Sequence, residues 1–164
     1  MEIKIRPYQI DDVKAILDII NYNILNATSL YDYTPRSLEN QVAIFNDKLG
    51  KKFPIIVATE NEQVVGFAYY SEFRFREAYK FTVEHSVYAH PNHIGKGIGK
   101  LLLQELIRLA IAQKLHTMIG VIDAENQSSI DFHKKFGFEI VGTIKDSGFK
   151  FDRWLHSVFM QKML

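Results

Sequence analysis

Cysteine is absent from the 164 residues, which excludes a disulfide framework, a thiolate nucleophile, and zinc or iron-sulfur sites built on thiolates. That absence fits a reducing compartment, and the cytoplasm is the expectation. Charge of one sign is scarce too: 20 Lys plus Arg stand against 19 Asp plus Glu, a formal +1, so no net field favours nucleic acid or an anionic membrane surface. An anionic ligand has to be held locally. No apolar run approaches the roughly 18 residues needed to cross a bilayer, and residues 1–7 contain no apolar signal core. With four prolines and nine glycines and no repeat, linker or low-complexity tract, one continuous domain over residues 1–164 is expected. What the chain does have is 47% hydrophobic and 13% aromatic residues, enough to bury roughly 70% of its unfolded surface around one core.

Hydrophobic periodicity alternates between strand and helix along the chain. Ile3 and Ile5 read as a short strand, after which Asp11 or Asp12 caps a helix carrying Val13, Ile16, Leu17 and Ile20. Pro35 opens a second helix with Leu38, Val42 and Phe45, following a polar loop from Asn26 to Thr34. Phe53 to Thr59 and Val64 to Tyr70 form a hairpin across residues 60–63, and Phe81 to Ala89 is a further strand. A helix running to about Gln113 then exposes one apolar face of Ile98, Leu102, Leu106 and Leu109, and Thr117 to Asp123 returns as a strand. That β-α-β crossover should be right-handed, making its two strands parallel and plausible neighbours. Asn126 caps a fourth helix, Gly137 ends it, and strands Phe138 to Ile144 and Asp152 to Met163 follow. The expected fold is α/β (α+β): about seven strands in a mixed central sheet with about four helices, in the order β-α-α-β-β-β-α-β-α-β-β.

Gly95-Lys96-Gly97-Ile98-Gly99-Lys100 stands where a strand gives way to a helix, so free backbone N–H groups and the helix dipole converge there on an anion. Equally, such a run can be only a turn that needs positive φ. A Walker loop would need Gly where Ile94 stands and Ser or Thr where Leu101 stands. A dinucleotide fingerprint starting at Gly95 would need a third small residue at Lys100. Both fail. The loop instead resembles the acetyl-coenzyme A loop of the Gcn5-related N-acetyltransferases, with Ile94 occupying the position where that superfamily usually carries Arg or Gln. Residues 82–88 (Thr-Val-Glu-His-Ser-Val-Tyr), residues 74–79, Glu125-Asn126, His133, Phe136-Gly137-Phe138, Gly148 to Phe151 and Trp154 resemble the phosphinothricin and methionine sulfoximine acetyltransferase branch.

The resemblance implies direct transfer of acetyl from acetyl-CoA to a small amine. An α-amino group is mostly ammonium at neutral pH, so a base is needed. Glu84, in an otherwise apolar strand, is the candidate, its bland alternative being a solvent-facing strand carboxylate. His133 is implied as its catalytic companion, falling where many superfamily members carry the Tyr that protonates the departing thiolate. Ser129, Ile130 and His133 share a helix face that should look into the cofactor cleft. Implied cofactor contacts are Val87, Tyr88 and Ala89, where a bulge splays the strand and exposes backbone groups to pantetheine, then Gly95, Lys96, Gly97, Ile98, Gly99 and Lys100 for pyrophosphate, with Asn126 and Ser129. Asn126 could equally be a plain N-cap.

On the substrate side, Arg74 and Arg76 share strand parity and can fork onto a carboxylate or phosphinate, with Phe75, Glu84 and His85 beside them. Pairing of those arginines with Glu72 or Glu77 is the competing reading. Leu30, Tyr31 and Asp32 are candidates for a second wall. His85, His90 and His93 lack the spacing of a metal site, and none is expected. The branch implies a homodimer in which Lys150, Phe151 and Trp154 approach the neighbour's pocket. Nucleic acid and membrane are not expected partners. Acetylation of protein N-termini or lysines, and an acyl-CoA-binding module without turnover, stay open as alternatives.

Overall fold

The computed structural model describes residues 2–164. Seven strands form one sheet in the order β1-β2-β3-β4-β5-β7-β6: β1 (Ile3–Pro7), β2 (Ile55–Glu60), β3 (Gln63–Glu72), β4 (Thr82–Ala89), β5 (Thr117–Asp123), β6 (Glu139–Lys150) and β7 (Arg153–Met163). Helices α1 (Val13–Asn26) and α2 (Leu38–Gly50) follow β1, α3 (Ile98–Ala112) joins β4 to β5, and α4 (Gln127–Lys135) joins β5 to β6. The order of elements is the expected one. Among the described residues β4–β5 is the one parallel pair and every other ladder is antiparallel.

Two apolar clusters lie on opposite sides of the sheet. Val83, Ala68 and Tyr70 pack with Ile98, Leu102, Leu103 and Leu106 of α3, while Phe67 and Tyr88 pack with Ile16, Ile19, Ile20 and Phe45 of α1 and α2. Strand period two makes this division unavoidable: Val83, His85 and Val87 face α3 and α4, and Glu84, Ser86 and Tyr88 face α1 and α2. At Gly66 of β3 an added Cβ would stand 2.7 Å from Ile98 and 2.9 Å from the Tyr88 carbonyl. Its hydrogen lets the start of α3 lie directly on the sheet.

Several boundaries differ from expectation. Pro35 lies outside α2, whose N-cap is Ser37, accepting from the Asn40 N–H. Asp12, rather than Asp11, closes the turn before α1, accepting from the Gln9 N–H at 2.8 Å and from Arg6 at 2.7 and 2.8 Å. The β2–β3 connection shrinks to Asn61 and Glu62, both at positive φ, the geometry of a two-residue hairpin turn. β6 continues past Ile144 to Lys150 because register shifts at residues 140–142 and 144–148 absorb extra residues and keep it paired with β7.

Candidate active site

β4 and β5 pair only from Thr82↔Thr117 to Glu84↔Ile119. Beyond Glu84 they diverge, and the gap between them is a cleft of about 970 Å³. The splay needs no bulge, contrary to expectation: β4 stays in continuous register with β3 from Val83 to Ala89. β5 instead follows β7 through Asp123, and the twist of the two halves carries them apart. The backbone edge of residues 85–89 facing β5 is therefore left without a strand.

At one mouth of the cleft, Gly95 and Gly97 adopt φ +85° and +78°, which L side chains rarely adopt, and Gly97 caps α3. The first N–H groups of α3, from Ile98 to Lys100, have no carbonyl within the helix and lie on the cleft lining. Ile94 also lines it with 75% exposure, so packing against the helix does not explain this residue. Lys96 is a correction. Its ammonium stands 3.6 Å from Glu60, beside the Glu60–His93 contact of 3.3 Å, and Lys96 is not among the residues that line the cleft.

Further in, Glu84 is half-buried, and loss of solvent lifts its carboxyl above the usual carboxylate range, with Arg74 and Lys48 pulling it partly back. His133 of α4 does not meet Glu84. It lies across the sheet from it, its Nε2 3.1 Å from Nε2 of His85 and its Nδ1 2.6 Å from the Ser129 carbonyl. His85, expected among the substrate contacts, is thus the partner of His133. Asn126 is an N-cap, its Oδ1 accepting from the Ser129 N–H at 3.1 Å, and it borders the cleft as well. Ser129 and His133 line the cleft, but Ile130 turns into the core.

Arg74, Phe75 and Arg76 depart furthest from expectation. β3 ends at Glu72, so strand parity does not apply to them, and all three are exposed on the loop before β4. Arg74 folds over the Phe73 ring and Arg76 over Phe75. Neither pairs with Glu72, which is bound by Lys51 at 3.0 Å. Leu30 and Tyr31 do line the cleft, whereas Asp32 is engaged by Arg36 at 2.8 Å. Lys150, expected near a neighbouring subunit, is 4% exposed and donates to the carbonyls of Ala27 at 2.8 Å and Leu30 at 2.6 Å within its own chain.

Thr28, Tyr69, Ser86, Asp123, Phe132 and Lys135 also line the cleft and escaped the sequence reading. Only Asp123 carried a signal, since it ends a parallel strand, where α/β sheets collect ligands. Burial alone would raise its carboxyl, but hydrogen bonds from Thr28, the Glu125 N–H and Arg153 hold it below the usual range.

Among the described residues the mixed sheet thus opens at its one parallel pair, with unpaired helix N–H groups at the mouth of the cleft and a half-buried carboxylate inside. Residues 20–138 match the model of the acetyltransferase (GNAT) family, and the chain belongs to that family. It is 41% identical to the L-methionine sulfoximine/L-methionine sulfone acetyltransferase of Pseudomonas aeruginosa, covering 98% of this chain and 94% of that protein. Among solved structures, a phosphinothricin acetyltransferase from Sinorhizobium meliloti in complex with AcCoA superposes with TM-score 0.96 at 40% identity, covering 100% of this chain and 89% of that one. A ribosomal-protein-alanine N-acetyltransferase from Brucella melitensis superposes with TM-score 0.97 at 41% identity, covering 98% and 99% of the two chains.

Proposed function

We propose that the protein is an acetyl-CoA-dependent N-acetyltransferase of small L-amino-acid-like amines, of the phosphinothricin, methionine sulfoximine or methionine sulfone type, with Glu84 as general base. The observation that carries the base assignment is the place of Glu84, half-buried where β4 leaves β5, and the substrate class is supported by the likeness to the acetyltransferases named above. In the reaction the nitrogen loses two protons, a C–N bond forms and the C–S bond breaks. Glu84 takes the first proton and gives it up again, so that of the two released one ends on sulfur and one in solvent. Pantetheine would occupy the unpaired edge at Val87 to Ala89, near Asn126, with pyrophosphate on the N–H groups from Gly97 to Lys100. An amide N–H of that same edge would receive the oxyanion. The test is acetyl-CoA consumption against a panel of amino-acid analogues, polyamines and peptides with N-terminal alanine or internal lysine.

A second reading has its own support. The likeness to a ribosomal-protein-alanine N-acetyltransferase favours a protein N-terminal substrate, and preferential turnover of the alanine peptides would establish it. No turnover of any amine, with coenzyme A still bound, would leave a binding module.

Ile94→Arg should tighten acetyl-CoA by about one charge-assisted contact, on the order of 1 kcal/mol, with a steeper salt dependence. An exposed Ile with nothing packed on it leaves room for the longer side chain. Calorimetric titration at two salt concentrations checks this; weaker binding with an intact Tm would move the pyrophosphate elsewhere. Arg74→Ala should raise KM for carboxylate- or phosphinate-bearing amines more than for neutral ones. It should also shift the acidic limb of the pH-rate profile upward, because Glu84 loses a cation that lowers its pKa. Arg76→Ala should leave that limb in place, and equal shifts in both variants would make the arginines structural.

The reading includes a homodimer. Supporting it, the outer strands of the sheet expose Ile140, Val141, Ile144, Phe149, Phe151 and Trp154, with the Phe149 and Trp154 rings 5.0 Å apart, and large exposed apolar side chains of this kind mark interfaces. Light scattering that returned a particle of 19.0 kDa would count against it.

A further inference from the structure

The histidine pair sits where the β4–β5 ladder has ended, above Gly120 of β5, and a Cβ on Gly120 would stand 3.1 Å from His85 Nε2 and 3.4 Å from the His133 ring. The rings lie edge to edge, nearly coplanar at 17° with centroids 5.0 Å apart, and Phe138 presents its ring to both at 5.5 and 5.3 Å. Hydrogen-bond logic assigns every hydrogen of the pair. A carbonyl only accepts, so His133 carries a hydrogen on Nδ1, bonded to Ser129. As a neutral ring its Nε2 is then a bare acceptor. One hydrogen has to lie between the two Nε2 atoms, and it belongs to His85. That leaves His85 Nδ1 as a lone pair, and it is the buried His85 atom that finds no hydrogen-bond partner among the described residues.

We propose that His85 is a positioning residue which, by donating its Nε2 hydrogen, holds His133 as a neutral imidazole with both nitrogens engaged, so that His133 brings no mobile proton to the cleft. Where the leaving thiolate lies rests on the acetyl-transfer reading above; the state of the pair does not. If the pair took up a proton, the charge could sit on either ring, but the new hydrogen would appear on His85 Nδ1 in both cases. No acceptor stands there.

Among the described residues none offers the pair a counter-charge. Across the ladder on β3, Tyr70 stands opposite His85 with its hydroxyl given to Gln113. β5 contributes Gly120, α4 contributes Ser129, and Phe138 is apolar. Glu84 points to the other side of the sheet. Burial accordingly lowers both rings, and the neighbouring His133 lowers His85 further, to about 3. The proton that the thiolate takes is then one of those released by the amine, carried through cleft water.

The experiment is long-range proton–nitrogen NMR of the free protein with labelled histidine, from about pH 5.5 to pH 8, the span in which ordinary histidines titrate. The expected result is His133 with its hydrogen on Nδ1, His85 with its hydrogen on Nε2, and neither ring titrating. His133 with its hydrogen on Nε2, or titrating near the ordinary value of about 6.5, would overturn the proposal. In His85→Leu, His133 should begin to titrate, and the kcat/KM profile should gain a step at the same pH. In His85→Gln, whose amide can donate from nearly the same place, both should stay silent. If the Gln variant titrates as the Leu variant does, donation is not what His85 supplies. If the Leu variant does not fold, the native spectrum and the Gln variant decide. A protein that shows these tautomers but consumes no acetyl-CoA would refute the enzymatic reading and leave the pair intact.

Discussion

Replacing Glu84 by Gln should lower turnover at pH 7 by roughly 10²-fold or more, the contribution of a positioned acid-base group, while coenzyme A binding is unchanged. Gln keeps the volume and a hydrogen-bonding end but cannot take a proton. If Glu84 is the base, the acidic limb of the native pH-rate profile should lie above the usual carboxylate range, because a base acts only when ionised and burial raises this carboxyl. The same shift has a consequence for stability. A carboxyl whose folded pKa exceeds its unfolded value binds protons more tightly in the native state, so its contribution to stability falls as pH rises between the two values. At pH 7 Glu84 is a cost to folding. Glu84→Gln removes that cost and should raise Tm at pH 7 while removing activity, with no gain at a pH below both values. Thermal melts at the two pH values and steady-state rates check both halves. Unchanged turnover across pH 6 to 9 would take Glu84 out of the mechanism.

Lys150→Met should lower Tm by about 4 to 16 °C. The Lys150 ammonium donates to the Ala27 and Leu30 carbonyls from a position almost without solvent. Each charged hydrogen bond is worth ~1.5 to 3 kcal/mol, and removing the donor leaves two carbonyls unsatisfied. Part of this loss is offset because Met requires no desolvation of a charge. The net is on the order of 2 to 4 kcal/mol, and each kcal/mol shifts Tm by about 2 to 4 °C in a domain of this size. Function should follow, because residues 27–34 form a wall of the cleft through Thr28, Leu30 and Tyr31. Other attachments remain, Thr28 to Asp123 at 2.6 Å, Tyr31 to Ser157 at 3.1 Å, and the Tyr33 hydroxyl to the Phe149 carbonyl. The loop should therefore loosen without unfolding, raising KM for the amine more than for acetyl-CoA. A melt within about 2 °C of the native protein would mean that the loop is held by these other contacts.

Periodicity and capping chemistry made the element order readable, because α1, α3 and β5 are decided by which residues must face a core. Thr117 to Asp123 was legible to the residue, being an apolar run bounded by His116 and Ala124-Glu125. Boundaries slipped where long-range pairing overrides local pattern. β6 reads as finished at Ile144, since its outer residues are polar and exposed, yet β7 holds it in register through two irregularities to Lys150. The glycine loop was legible because positive φ at Gly95 and Gly97 is a local requirement. Lys96 was misread because its partner, Glu60, comes from a different strand.

By itself the sequence determined what local chemistry can determine: the α/β order, the absence of thiolate chemistry, the glycine turn at the start of a helix, and a carboxylate in an apolar strand. Tertiary structure alone decided which residues meet. The parting of β4 and β5 after Glu84 depends on the competing pull of β3 and β7, which no segment contains within itself. That parting creates the cleft and seats His85 against His133, while the alternation of side chains along β4 puts Glu84 on the other face of the sheet. Lys150 reads as one more surface lysine. It becomes a buried clasp because the fold brings two carbonyls, 120 and 123 residues away, within reach of its ammonium, and a buried charge stays only where such partners satisfy it.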